Sequence, residues 1–216
     1  MALRRGTLNL YLVTDPGLCP GPVLIDTVRA AVRGGVSFVQ LRDKHATTAA
    51  RVDAARALMQ VLCGTGVPLV INDDLEAALA AGVDGVHIGQ GDVNSDVARA
   101  RLGPDKIIGL SCETPAQVRA ASTQHVDYLG LGTVFPTATK ADHKPTIGLD
   151  GLAEMVGLTH LPCVAIGGLK QAHAADVLAT GCEGMAVVSA ICGQPDPECA
   201  ARDLRRALAP SSETSS

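Results

Sequence analysis

Short aliphatic runs alternate with Ala-rich amphipathic stretches along almost the whole chain. The runs predict strands at Leu8–Asp15, Ser37–Arg42, Pro68–Asp73, Gly85–Gly89, Lys106–Ser111, Tyr128–Val134, Pro162–Gly167 and Gly184–Ser189. Apolar positions at helical spacing fall between them, for example over Val23–Arg33, Thr47–Leu62, Leu75–Ala81, Pro115–Ala121 and Ala172–Ala179. Strand and helix repeated about eight times point to a parallel sheet, because parallel neighbours need a long crossover. At about 27 residues per unit, the pattern predicts an α/β chain folded as a single-domain (β/α)8 TIM barrel over residues 1–209, with 210–216 as a disordered C-terminal tail. The structural alternative is an open doubly wound sheet. For dinucleotide binding it would show a Gly-x-Gly-x-x-Gly turn after its first strand, where this chain has Asp15-Pro16-Gly17.

Polar residues are distributed unevenly along these units. Strands begin plainly and end in reactive side chains, such as Gln40-Leu41-Arg42-Asp43-Lys44, Asn72-Asp73-Asp74, Gln90-Gly91-Asp92 and Ser111. In a parallel barrel these ends share one rim, the face on which such folds carry their chemistry. Side chains alternate along a strand, so Gln40, Arg42 and Lys44 share a side while Leu41 faces the helices. Two cations and an amide over the barrel mouth suit phosphoryl oxygens. Asp73 and Asp92 end adjacent strands, close enough to share one hard cation such as Mg2+. Asp74 precedes Leu75-Glu76-Ala77-Ala78-Leu79 and reads as a helix N-cap.

Small residues at matching parity, Gly109 with Ser111, Gly130 with Gly132 and Ala165 with Gly167, predict a hollow near the rim. Loops seven and eight, with Gly167-Gly168 and Ser189, are where barrels hold a phosphate through backbone N–H groups. His87 lies inside its strand and reads as a packed or hydrogen-bonded core histidine. Tyr11 either lines the pocket or fills it.

Composition narrows the function class. Of 216 residues, 47% are hydrophobic but only 2% aromatic, and the formal net charge is −4. That balance disfavours nucleic-acid binding, which calls for basic patches or stacking platforms. The apolar run Leu8–Val13 is too short for a signal-peptide core or a membrane span. Seven cysteines, none in a Cys-x-x-Cys pair, fit reduced thiols in a cytoplasmic protein. Cys112 should face away from Ser111 and is not expected to act as a nucleophile. The oligomeric state, homo-oligomer included, stays open.

Taken together and in order, Gln40 to Lys44, Asn72-Asp73-Asp74, His87-Ile88-Gly89-Gln90 with Asp92, Pro136-Thr137-Ala138-Thr139-Lys140, Gly167-Gly168 and Val188-Ser189 resemble the thiamine-phosphate synthase family. The resemblance implies an enzyme that joins 4-amino-2-methyl-5-(diphosphooxymethyl)pyrimidine to a thiazole ethyl phosphate, releasing diphosphate. Whether the thiazole carries an additional carboxylate stays open. By motif, it places the pyrimidine diphosphate against Gln40, Leu41, Arg42, Asp43, Lys44, Asn72, Ser111 and Lys140. It places Mg2+ on Asp73 and Asp92, and the thiazole phosphate on Thr137, Ala138, Thr139, Gly168, Val188 and Ser189. Many members of the family carry His two residues after the strand-five Ser, where this chain has Glu113.

The implied chemistry suits the residue types. Arg42, Lys44 and Lys140 with Mg2+ neutralise a departing diphosphate, and with Ser111, which the resemblance also places at the pyrimidine diphosphate, they are the expected catalytic groups. The expected path is dissociative, since the thiazole nitrogen needs no general base. Two rivals remain at this level: a thiazole tautomerase-like barrel, and a non-catalytic barrel binding a phosphate ligand.

Overall fold

A computed structural model describes residue 3, residues 5–137 and residues 145–209 of the chain. Eight parallel strands, β1 (Leu10–Val13), β2 (Phe38–Leu41), β3 (Leu69–Asn72), β4 (Gly85–Ile88), β5 (Ile107–Cys112), β6 (Tyr128–Leu131), β7 (Cys163–Ile166) and β8 (Gly184–Val187), close into a barrel in sequence order. The helices are α1 (Val23–Arg33), α2 (Thr48–Leu62), α3 (Leu75–Ala81), α4 (Ser95–Leu102), α5 (Pro115–Ala120), α6 (Gly148–Val156), α7 (Ala174–Ala179) and α8 (Pro197–Ala207). This is the (β/α)8 barrel that the alternation predicts. Each ladder spans only a few residues, so the polar ends of the expected strands leave the sheet and become rim loops.

The start of the chain differs from expectation. Arg5–Leu8 is a 3-10 turn rather than strand. Leu8 is fully buried and joins the apolar cluster inside the barrel with Ile107, Val164 and Ala186, while the partly buried Leu3 packs against it. The turn therefore plugs the barrel floor.

Strand alternation divides the interior into two cores. Leu10, Leu12, Val39, Leu41, Ile71, Ile88, Ile108, Leu129 and Leu131 face outward into the strand–helix layer. Tyr11, Val13, Phe38, Val70, Tyr128 and Val164 face inward. Three of the chain's four aromatic rings thus lie in the barrel: Tyr11 packs on Phe38 at 4.4 Å between centroids, and Phe38 meets Tyr128 edge-on at 5.6 Å. Ala165 belongs to the outer layer and Ile166 to the inner one, so the expected hollow at β7 is absent. Bulky branched side chains fill that part of the barrel instead.

Local signals hold where they are self-contained. Asp74 caps α3, its Oδ1 accepting from Ala77 N at 2.9 Å. Thr114 and Gln117 form a reciprocal capping box at α5, with Pro115 at the first turn.

Candidate active site on the barrel rim

With all strands parallel, Arg42, Asp73, Asp92, Ser111 and Gly168 lie at or beyond strand C-terminal ends on one rim. After β2, Thr14 prolongs the sheet edge. Its N–H donates to Gln40 O at 3.0 Å, and Arg42 N donates to Thr14 Oγ1 at 2.9 Å. That pairing keeps the chain extended, so Gln40 and Arg42 point the same way. Arg42 is mostly buried, and its Nη1 lies 4.0 Å from Asp15 Oδ2, too far for a hydrogen bond. The guanidinium faces Asp15, and no hydrogen bond joins it to another side chain among the described residues. Lys44 is exposed at the mouth.

Two residues expected at the diphosphate have side chains engaged with the protein itself. Leu41 is 3% exposed and packs in the outer core, so only its backbone can meet a ligand. The Asp43 carboxylate folds back onto its own loop, accepting from His45 N and Ala46 N at 3.0 Å each. The sequence reading missed Arg51. It donates to Asp43 O at 2.9 Å and to Asp74 Oδ2 at 2.7 Å, tying the β2 loop to the start of α3. Asp43, Arg51 and Asp74 line one wall of a cleft of about 480 Å3 that also takes in Lys44, Asn72 and Asp73.

Asp73 adopts φ 63°, the left-handed region that Asp and Asn tolerate better than other side-chain-bearing residues. Its N–H donates to His87 O at 2.8 Å, which pins the strained residue to β4. Asp92 is held from the other side, its Oδ2 accepting from Gly89 N at 2.7 Å. Burial, a side-chain contact with Asp92 and the charge of Asp92 together push the Asp73 carboxyl up to about 6, against the opposing pull of Lys44 and Asn72. The two carboxylates do converge, as their positions on adjacent strands predict.

Inside the mouth runs a feature that the sequence reading did not assemble. Gln40 Nε2 donates to Tyr11 Oη at 2.6 Å. Tyr11 Oη and Tyr128 Oη are 2.7 Å apart. Tyr128 Oη lies 2.8 Å from His87 Nδ1, and His87 Nε2 lies 2.9 Å from Ser111 Oγ. Burial raises the pKa of both phenols well above the ordinary tyrosine value, so both keep their protons. His87 is the hydrogen-bonded core histidine that its position inside β4 predicts, and it supports Ser111 directly. Gly109 and Gly130 leave room here as expected, but protein occupies part of it. A Cβ at Gly109 would collide with the Tyr128 ring and His87 Nδ1, and one at Gly130 would sit 3.2 Å from His87 Cε1.

Across the rim, Gly167 and Gly168 have φ 107° and 63°. A side chain on Gly168 would run into the carbonyls of Phe135 and Pro136, so the β6 loop closes directly over the β7 turn. Val188 packs on the inner core and Ser189 is exposed at the first position of the turn after β8. Thr137 is partly buried at the edge of this region. Ala138, Thr139 and Lys140 lie outside the described residues, as does the segment 210–216. Cys112 is fully buried on the outer face, and burial together with Glu113 pushes its thiol up to about 12, as the parity argument requires of a non-nucleophile. Among the described residues, no helix is long and apolar enough to cross a membrane.

A family model described as thiamine monophosphate synthase matches residues 10–191. The chain belongs to that family. The thiamine-phosphate synthase of Psychrobacter sp. (strain PRwf-1) is 52% identical over 91% of this chain and 93% of its own length. That of Xanthobacter autotrophicus is 51% identical over 93% of this chain and 95% of its own. Among solved structures, the thiamine phosphate pyrophosphorylase of Pyrococcus furiosus superposes with a TM-score of 0.85 at 36% identity, covering 94% and 96% of the two chains. Membership of the thiamine monophosphate synthase family agrees with the resemblance carried by the rim motifs.

Proposed function

We propose that the chain joins 4-amino-2-methyl-5-(diphosphooxymethyl)pyrimidine to a thiazole ethyl phosphate, giving thiamine phosphate and diphosphate. Similarity over nine-tenths of the chain to relatives named for that synthesis supports the reaction. The observation that carries the assignment to this rim is the presence on it of two differently built anion grips. A cationic grip, Arg42 and Lys44, stands on the β2 side. Further round the same rim, past β1, the turn at Ser189 after β8 and the glycine turn after β7 offer backbone donors.

In this reading Arg42, Lys44 and Lys140 hold the diphosphate, with Asn72 beside it and the Leu41 and Asp43 contribution limited to backbone. Gln40 and Ser111 orient the pyrimidine ring. Thr137 to Thr139, Gly168, Val188 and Ser189 receive the thiazole phosphate. Asp73 and Asp92 hold Mg2+. The donor set fits that ion: two converging carboxylates, one raised by burial and mutual repulsion, need more positive charge than Lys44 brings. When bound, Mg2+ supplies charge that makes diphosphate a better leaving group. The protein's own residues hold the diphosphate oxygens, fix the pyrimidine plane and exclude water while the C–O bond to diphosphate breaks ahead of C–N bond formation. The thiazole nitrogen carries a lone pair and needs no deprotonation, consistent with the commitment of His87 to Tyr128 and Ser111. Seven cysteines without a disulfide support placing the enzyme in the cytoplasm.

The test is product formation from the two purified substrates with Mg2+. Thiamine phosphate and diphosphate should form in equal amounts and only when both substrates are present. Isomerisation of a thiazole phosphate without the pyrimidine would favour a tautomerase. Saturable binding without turnover would favour a non-catalytic barrel.

A further inference from the structure

Gln40, Tyr11, Tyr128, His87 and Ser111 come from β2, β1, β6, β4 and β5, yet they form one unbroken hydrogen-bonded chain across the barrel. Its two ends are the side chains assigned to the pyrimidine ring. We propose that Tyr11, Tyr128 and His87 are positioning residues whose hydrogen bonds all run in one direction, so that the Ser111 hydroxyl is set as a donor to the pyrimidine.

The direction follows from counting hydrogens. The Tyr11 hydroxyl accepts the Gln40 amide N–H. The buried Tyr11 phenol keeps its proton, and among the described residues its only other hydrogen-bond partner is Tyr128 Oη, so its own hydrogen goes there. Tyr128, having accepted there, gives its hydrogen to His87 Nδ1. A neutral imidazole carries one proton, and with Nδ1 accepting, that proton sits on Nε2. Nε2 then donates to Ser111 Oγ, which leaves the Ser111 O–H to point at a ligand. At the other end Gln40 turns its N–H inward, leaving Oε1 as the acceptor.

Reversing any one bond forces the whole chain to reverse, because each hydroxyl has a single hydrogen. A donor at Ser111 is thereby locked to an acceptor at Gln40. An aminopyrimidine presents ring-nitrogen acceptors and amino donors, the complementary pair. Separate hydroxyl and amide groups would rotate independently and bind a wider range of heterocycles. The glycine at position 109 belongs to the same device, since it opens the space in which Tyr128 meets His87.

This inference rests on the proposed pyrimidine site for its consequence but not for its geometry, and two measurements separate them. The first is 15N–1H correlation of the imidazole in substrate-free protein, with the His87 signals identified by their loss in His87→Gln. The relay requires the Nε2–H tautomer in the wild type and a mixture or Nδ1–H in Tyr128→Phe. An Nδ1–H or doubly protonated ring in the wild type, or a tautomer indifferent to Tyr128→Phe, overturns it. The second is a double-mutant cycle on turnover. Tyr128→Phe should raise KM for the pyrimidine diphosphate about tenfold, leave KM for the thiazole phosphate unchanged, and add nothing in a Ser111→Ala background. Equal effects with and without Ser111 would make Tyr128 a merely structural residue and sink the proposal. If the wild type makes no thiamine phosphate at all, the functional reading fails, while the tautomer measurement still decides the relay.

Discussion

Gly109 stands opposite both His87 and Tyr128 in the sheet register, and its missing side chain is what lets the Tyr128 hydroxyl reach His87 Nδ1. Gly109→Ala inserts a methyl group where a ring and an imidazole already meet. Neither neighbour can retreat easily in a closed barrel. The expected cost is about 1–3 kcal/mol of stability, in the range of overpacked cores. Thermal unfolding should show it, and unchanged Tm together with unchanged KM for the pyrimidine would contradict the packing described.

Asp73→Asn should separate folding from metal binding. Asn tolerates the left-handed backbone at this position, so the loop should keep its shape. Removing one of two repelling carboxylates relieves the metal-free protein, whose Tm should rise slightly or hold. Mg2+ should raise the Tm of the wild type and not that of the variant, and turnover should fall at least tenfold. A variant that Mg2+ stabilises as well as the wild type would move the metal elsewhere.

Asp74 ties α3 to the β2 loop through Arg51, and its charge can be isolated because Asn caps helices as well as Asp does. Burial alone would raise its carboxyl. The Ala77 N–H, Arg51 and Thr48 outweigh that and hold it below the usual aspartate range. A carboxyl whose folded value lies below its unfolded one stabilises the protein above the unfolded value near pH 3.9 and loses that contribution as pH falls through the folded one. Asp74→Asn should therefore cost about 1 kcal/mol at pH 7, and the gap to wild type should close in acid below about pH 4. Denaturant titrations across that range measure it, and a gap that widens in acid would reverse the sign of the argument.

Cys112→Ala should leave turnover within about twofold while costing about 1 kcal/mol of stability, the effect of removing one buried sulfur from a packed layer. In the folded wild type, Cys63 and Cys199 are the exposed thiols, and alkylation should reach them first. Intact mass after brief treatment reads this. Early labelling of Cys112, or a covalent substrate adduct on it, would contradict its burial.

Much of the site could be read from the sequence because it is local. The alternation of Gln40, Leu41 and Arg42 needs only an extended backbone, which Thr14 supplies. The Asp74 cap needs only the helix that follows it. Asp73 and Asp92 needed one further step, the adjacency of consecutive strands in a βαβ barrel. The local signal was incomplete where neighbouring backbone competed for the side chain. Asp43 has the charge of a ligand-facing residue, but the N–H groups of His45 and Ala46 capture it within its own turn.

What the sequence by itself determined is therefore the number and order of strands, the rim on which chemistry collects, and the family. These depend on periodicity, on the helix crossovers between strands and on short motifs. Which parity faces inward on β7 was decided only by tertiary packing, which puts Ile166 rather than Ala165 into the barrel. The tertiary structure alone also decided that the space beside Gly109 would be filled. Tyr11 and Tyr128 are 117 positions apart, and no local pattern encodes a hydroxyl–hydroxyl contact over that separation. Closure of the barrel brings the strands into register, and burial then forces each phenol to find a partner. The polar chain from Gln40 to Ser111 is the outcome of that requirement.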